Sequence, residues 1–102
     1  MVQETTKNIT IDVIQKAVVD YFKISLAELR GKRRNKNIVY ARQIAMLLSR
    51  QLTNLSLPEI GNAFGGKDHT TVLHACKKTD QDLKVNSELK NAVQNITNIL
   101  KH

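Results

Sequence analysis

Residues 56–78, SLPEIGNAFGGKDHTTVLHACKK, read as a short capped helix, a glycine turn and a second helix whose first turn is polar. Ser56 and Glu59 stand three apart, the spacing at which a hydroxyl and a carboxylate each satisfy the other residue's backbone N–H at a helix start. Pro58 falls in the first turn, where its missing donor costs nothing. Gly65 and Gly66 permit a sharp redirection, and Asp68 is expected to cap the helix that follows. Two helices joined this way make a helix-turn-helix, with Lys67, Asp68, His69 and Thr70 at the exposed amino end of the second helix. On that helix Val72, Leu73 and Cys76 are expected inward, and Thr70, Thr71, His74, Lys77 and Lys78 outward.

Upstream of the motif, the spacing predicts a long helix from Ile38 to about Asn54, with Ile38, Ala41, Ala45, Leu48 and Leu52 on one side and Arg42, Gln43, Ser49 and Arg50 sharing much of the other. Before it, Arg30 to Asn37 contains no apolar residue to bury and is expected to be a solvated basic loop. Ser25 and Glu28 form another capping box, opening a short helix through Leu26 and Leu29 that ends near Gly31. Thr10 caps a first helix with Ile14, Ala17, Val18, Tyr21 and Phe22 as its buried stripe and Asp12, Lys16, Asp20 and Lys23 facing water. A last helix carries Leu89, Val93, Ile96 and Leu100. No strand pattern, internal repeat or low-complexity tract interrupts this order, so the expected architecture is an all-α bundle of about six helices. Residues 1–8 are polar and unpatterned and are expected to be a lead-in or linker remnant; residues 9–102 are expected to form one domain.

At 102 residues the chain allows a single modest core, and with only 4% aromatic residues that core must be aliphatic. No apolar run approaches a membrane span, and the start lacks a basic stretch followed by an apolar one, so a cytoplasmic location is expected. Net charge is +7, and its placement is informative. From Arg30 to Lys78 ten Lys or Arg face only Glu59 and Asp68, a balance of +8, whereas the remainder carries six against seven. An excess confined to the basic run and the helix-turn-helix is the footprint expected for nucleic-acid phosphates. A helix-turn-helix inserts the start of its second helix into the DNA major groove, so that end is the candidate reading surface.

Catalytic and metal chemistry fit poorly. Gly61, Gly66 and Lys67 begin a phosphate-binding G-x-x-x-x-G-K-[ST] loop, but Asp68 replaces the hydroxyl residue that would ligate magnesium, and a capped helix precedes it instead of a strand. His69 and His74 lie about 140° apart around a helix, and His74 and Cys76 about 160°, too divergent for zinc or for an activated thiol. Cys76 reads as a small core residue, and the chain is expected to be no enzyme and to hold no metal.

Residues 56–78 resemble the signature of the C-terminal DNA-binding domain of the bacterial chromosomal replication initiator DnaA, which combines the SLPEIG helix with GG-K-DHTTV-HA. The run KRRNKNIVYARQIAMLLSRQLT, residues 32–53, is similar to that domain's basic loop and following helix, so the resemblance covers most of residues 9–101. Ala41 departs from it, standing where many relatives have proline before the Arg-Gln pair, which bears on how the long helix begins. The resemblance implies a Trp-repressor-like helix-turn-helix that binds DnaA boxes of the TTATCCACA type at a replication origin in the nucleoid, one monomer per box. It also implies no cofactor in this chain, ATP being expected only in the ATPase domain of the full initiator.

By the same resemblance Lys67, Asp68, His69 and Thr70 approach base edges in the major groove, Leu57 and Pro58 support apolar contact to thymine methyls, and Arg34 enters the adjacent minor groove. The chemistry agrees: a carboxylate accepts from a cytosine amine, a threonine offers a methyl and a hydroxyl, and an arginine suits the narrow, negative groove of A·T-rich DNA. Arg42, Gln43, Arg50, Thr71, His74 and Lys78 are the candidates for phosphates, with Lys32 and Arg33 as an electrostatic fringe. The plainer alternatives are that Asp68 and Thr71 only cap, that His74 is a solvated surface histidine, and that Leu57 and Pro58 serve core and cap. Two other functions compete: a stand-alone helix-turn-helix regulator, and a module that docks on proteins or acidic phospholipids through the first helix, whose neutral polar face argues against it.

Overall fold

In the computed structural model, which describes residues 8–102, the helices are α1 (Ile11–Phe22), α2 (Leu26–Arg30), α3 (Lys36–Leu52), α4 (Leu57–Ala63), α5 (His69–Leu83) and α6 (Ser87–Lys101), with no strand among the described residues. The expected lead-in over residues 1–8 lies, but for Asn8, outside the described residues.

The helix starts follow the caps. Thr10 Oγ1 accepts from Val13 N–H at 3.2 Å, and the Ser25/Glu28 and Ser56/Glu59 boxes are both closed in each direction. α1 stops at Lys23, whose left-handed backbone (φ 56°) lets its N–H reach Val19 O. One start differs from the sequence reading: Asn35 caps α3 by accepting from Ile38 N–H at 3.0 Å, so Lys36 and Asn37 belong to the helix and the basic loop is shorter. Ala41 is helical and fully buried.

α3 is the axis of the core, and α1, α2, α4, α5 and α6 all pack on it. Ile38, Ala41, Ile44, Ala45, Met46, Leu47 and Leu48 are buried almost completely, so the helix is covered nearly all round. This overturns the expected polar side. Ser49 is fully buried and donates to Ala45 O at 2.7 Å, Gln43 is buried, and only Arg50 of the foursome is exposed. On α1 the stripe is Ile14, Gln15, Val18 and Val19, and Tyr21 lies at the surface, its hydroxyl accepting from Asn95 Nδ2. On α5 the buried seam is Val72, Cys76 and Thr79, with Leu73 only half-buried. α6 contributes Leu89, Ala92, Ile96 and Leu100.

The helix-turn-helix depends on how closely α4 meets the start of α5. Gly61 O accepts from the N–H groups of Phe64, Gly66 and Lys67 at 3.1, 3.1 and 2.8 Å, folding the turn back over the end of α4. A Cβ on Gly61 would run into the Lys67 carbonyl. Gly65 holds φ at 86°, a backbone that side chains disfavour, and passes against Arg30 O at the end of α2.

Candidate nucleic-acid interface

The exposed amino end of α5 carries Asp68, His69, Thr70 and Thr71. Asp68 occupies the N-cap position yet makes no side-chain cap bond, contrary to expectation. Its carboxylate accepts from Thr70 Oγ1 at 3.1 Å and lies 3.4 Å from His69 Nδ1. Because the Thr70 hydroxyl donates to Asp68, its oxygen keeps lone pairs with which to accept. The three side chains form one polar tip.

Beside the tip, between α3 and α5, runs a cleft of about 350 Å³ lined by Arg34, Arg42, Gln43, Lys67, Thr71 and Lys78 over the apolar side chains of Val39, Met46 and Ala75. Six residues singled out in the sequence thus meet in one place. Gln43 is 8% exposed, and its Oε1 is buried without a hydrogen-bond partner, an unusual state for a core amide. Arg34 is exposed at the cleft's edge in the basic loop, with Lys32 and Arg33 near it. Arg33 Nη1 approaches Glu28 Oε2 at 3.7 Å, and Lys78 pairs with Asp82 at 3.2 Å.

Two of the cations are committed to backbone. Arg42 donates from Nε to Leu29 O and from Nη2 to Glu28 O, both at 2.9 Å, and from Nη1 to Arg33 O at 3.1 Å. Lys67 Nζ donates to Phe64 O, Arg30 O and Gly31 O at 2.7, 3.0 and 3.1 Å. Burial, then Arg42 and Lys32, push the Lys67 ammonium below the usual lysine range; burial, then Arg34, lower Arg42 likewise. These cations repel one another, so the charged site gains from an anion.

Other expected site residues lie apart. Arg50 lines no part of the cleft and sits beside Cys76, whose thiol is raised chiefly by burial. Leu57 packs against the core, while Pro58 is exposed in the first turn of α4. His74 is exposed on the outer face of α5. The sequence reading missed Arg30 and Gln15: Arg30 Nη2 donates to Gln15 Oε1 at 2.7 Å, and Gln15 Nε2 to Ala63 O at 2.9 Å, tying α2 through α1 to α4. A signal existed, since Gln15 interrupts the apolar row Ile11, Val19 at helical spacing. Among the described residues no cluster of His, Cys, Asp and Glu suits a metal, and no helix is long and apolar enough to cross a membrane.

Fold and site together define a small helix-turn-helix domain with a polar tip at the start of its second helix and a cationic cleft beside it. The family model described as the bacterial dnaA protein helix-turn-helix matches residues 11–79, and the chain belongs to that family, a class of non-catalytic DNA-binding domains that carry no cofactor. It is 57% identical over 93 residues to the chromosomal replication initiator protein DnaA of Lactiplantibacillus plantarum, a match covering 91% of this chain and 20% of the relative. It is 52% identical over 99 residues to the same protein of Lactobacillus johnsonii, covering 97% and 22%. The chain thus spans about a fifth of the length of the curated relatives it matches.

Proposed function

We propose that the domain recognises DnaA boxes of the TTATCCACA type in duplex DNA, one monomer per box, as the origin-recognition part of a cytoplasmic, nucleoid-associated replication initiator. The observation that carries this reading is the juxtaposition of the Asp68, His69, Thr70 tip with the cationic cleft of Arg34, Arg42, Lys67 and Lys78. A recognition helix needs both a polar end for base edges and flanking cations for phosphates.

Asp68 and Thr70 read base edges as a coupled pair, with His69 beside them, and Arg34 probes the minor groove from the loop. Leu57 and Pro58 offer apolar contact near the entry of α4. Thr71, Arg42, Lys78 and the Nε2 group of Gln43 donate to a backbone phosphate in the cleft; the buried Gln43 Oε1, an acceptor like the phosphate oxygens, takes no part. His74, Arg50, Lys32 and Arg33 extend the phosphate contacts beyond it. For Lys67 to touch a base edge it would have to release three carbonyls.

The membrane reading is less favoured. The apolar stripe of α1 is buried in the core, so docking on acidic phospholipids would have to use exposed Val13 and Tyr21 and a polar face whose Lys16 and Asp20 already pair at 2.8 Å. Titration of the domain against boxed and scrambled duplexes at fixed salt tests the proposal: boxed DNA binds on the order of 10³-fold or more tightly. Equal affinities would refute sequence recognition.

A further inference from the structure

α2 is only five residues long, so its carboxyl-terminal carbonyls need partners from elsewhere. They find two cations from distant parts of the chain. Arg42 of α3 takes Glu28 O and Leu29 O, Lys67 of the helix-turn-helix turn takes Arg30 O and Gly31 O, and Arg42 returns to Arg33 O. An ammonium has three hydrogens, and Lys67 has three carbonyl partners, so its donor capacity is used up inside the protein. A second observation places the same two segments together: Gly65 passes so close to Arg30 O that no side chain fits between them.

We infer that Lys67 is a positioning residue that locks the basic loop bearing Arg34 onto the helix-turn-helix turn. The groove-probing arm and the recognition helix then move as one body, and their separation is set before DNA arrives. Lys67 acts through Arg34, without touching DNA itself. The functional half of this inference rests on the proposed DNA recognition; the locking does not.

The test uses Lys67→Met, which keeps the aliphatic stem and removes the donors, in the presence and absence of Arg34→Ala. In the free wild-type domain, NMR order parameters of Gly31–Arg34 are expected near those of rigid backbone, about 0.85, and in Lys67→Met to fall below about 0.6. On boxed DNA, Lys67→Met is expected to weaken binding on the order of 10-fold when Arg34 is present and less than about 2-fold when it is already alanine. The salt dependence of binding should change by clearly less than the slope of about 0.9 expected of a direct phosphate contact, because Lys67 adds to the field without meeting a phosphate. A wild-type loop already as mobile as the variant would overturn the locking without reference to DNA or to the variant's stability. Losses that add fully in the double variant, or a slope flattened by about 0.9 as for a phosphate contact, would overturn the positioning role. If boxed and scrambled duplexes bind alike, the DNA reading fails while the order parameters still decide the lock.

Discussion

Gly61→Ala offers the sharpest test of how the two helices of the helix-turn-helix are joined. The added Cβ meets the carbonyl group of Lys67, which is backbone and cannot rotate away, so the turn from Phe64 to Lys67 must move. Overpacking of this kind costs about 1–3 kcal/mol. The movement also stretches three hydrogen bonds to Gly61 O, each with a net contribution of about 1 kcal/mol. Alanine returns up to about 1 kcal/mol, because glycine is a poor helix former. With the stretched bonds losing about half of that contribution, the balance is a loss of about 2–4 kcal/mol, or a Tm lower by roughly 10–30 °C for a domain of this size. Gly66→Ala is the control: nothing lies within 4 Å of its Cβ, and only φ of 80° opposes it, costing about 1–2 kcal/mol. Thermal and urea unfolding followed by far-UV circular dichroism should therefore rank wild type above Gly66→Ala above Gly61→Ala. A Gly61→Ala variant melting within a few degrees of wild type, or above Gly66→Ala, would refute the close-approach argument.

Gln43→Leu removes a buried amide whose Oε1 has no partner, so the fold should be as stable as wild type or slightly more so, while boxed DNA binds less tightly; a clear drop in Tm would show that the amide supports the core. Thr70→Val keeps the shape but loses the hydroxyl bonded to Asp68. It should leave stability within about 0.5 kcal/mol and remove about 1–3 kcal/mol of discrimination at one base pair, measured against single-substituted duplexes. Glu59 is held below the ordinary carboxylate range, first by the Ser56 backbone N–H and then by the Ser56 hydroxyl. A lowered folded value means stability that is present above the ordinary glutamate value of 4.5 and lost as pH falls through the folded one, so the fall in Tm between about pH 5 and about pH 3 should be steeper in wild type than in Glu59→Gln. Equal slopes would remove Glu59 from the acid transition.

The fold was legible wherever a local device sets it. The Ser25/Glu28 and Ser56/Glu59 boxes, the Gly65–Gly66 turn and the apolar spacing of α6 each act within a few residues, and the family resemblance agreed with them. Misreadings arose where the rest of the chain decides. Gln43 and Ser49 look like a polar face until five helices surround α3, and Asp68 looks like a cap until Thr70 and His69 engage its carboxylate. The residues gathered in the cleft could be named one by one from the sequence, but not the commitments of Arg42 and Lys67. Their partners are carbonyls, which every residue has, so no side-chain pattern marks them.

That choice of partner has an electrostatic consequence. A cation ordered by a carboxylate loses its net charge to the pair, whereas one ordered by carbonyls at a helix end is oriented by dipoles and keeps it. Arg42 and Lys67 are fixed by six carbonyl contacts without a carboxylate among those partners, and Arg34 stands close enough to lower Arg42. The loop is thereby ordered while its positive field remains available to a polyanion. A lysine paired with an acid at the same place would hold the loop as well and weaken that field, so for a surface meant to meet phosphates, carbonyl anchoring is the better solution.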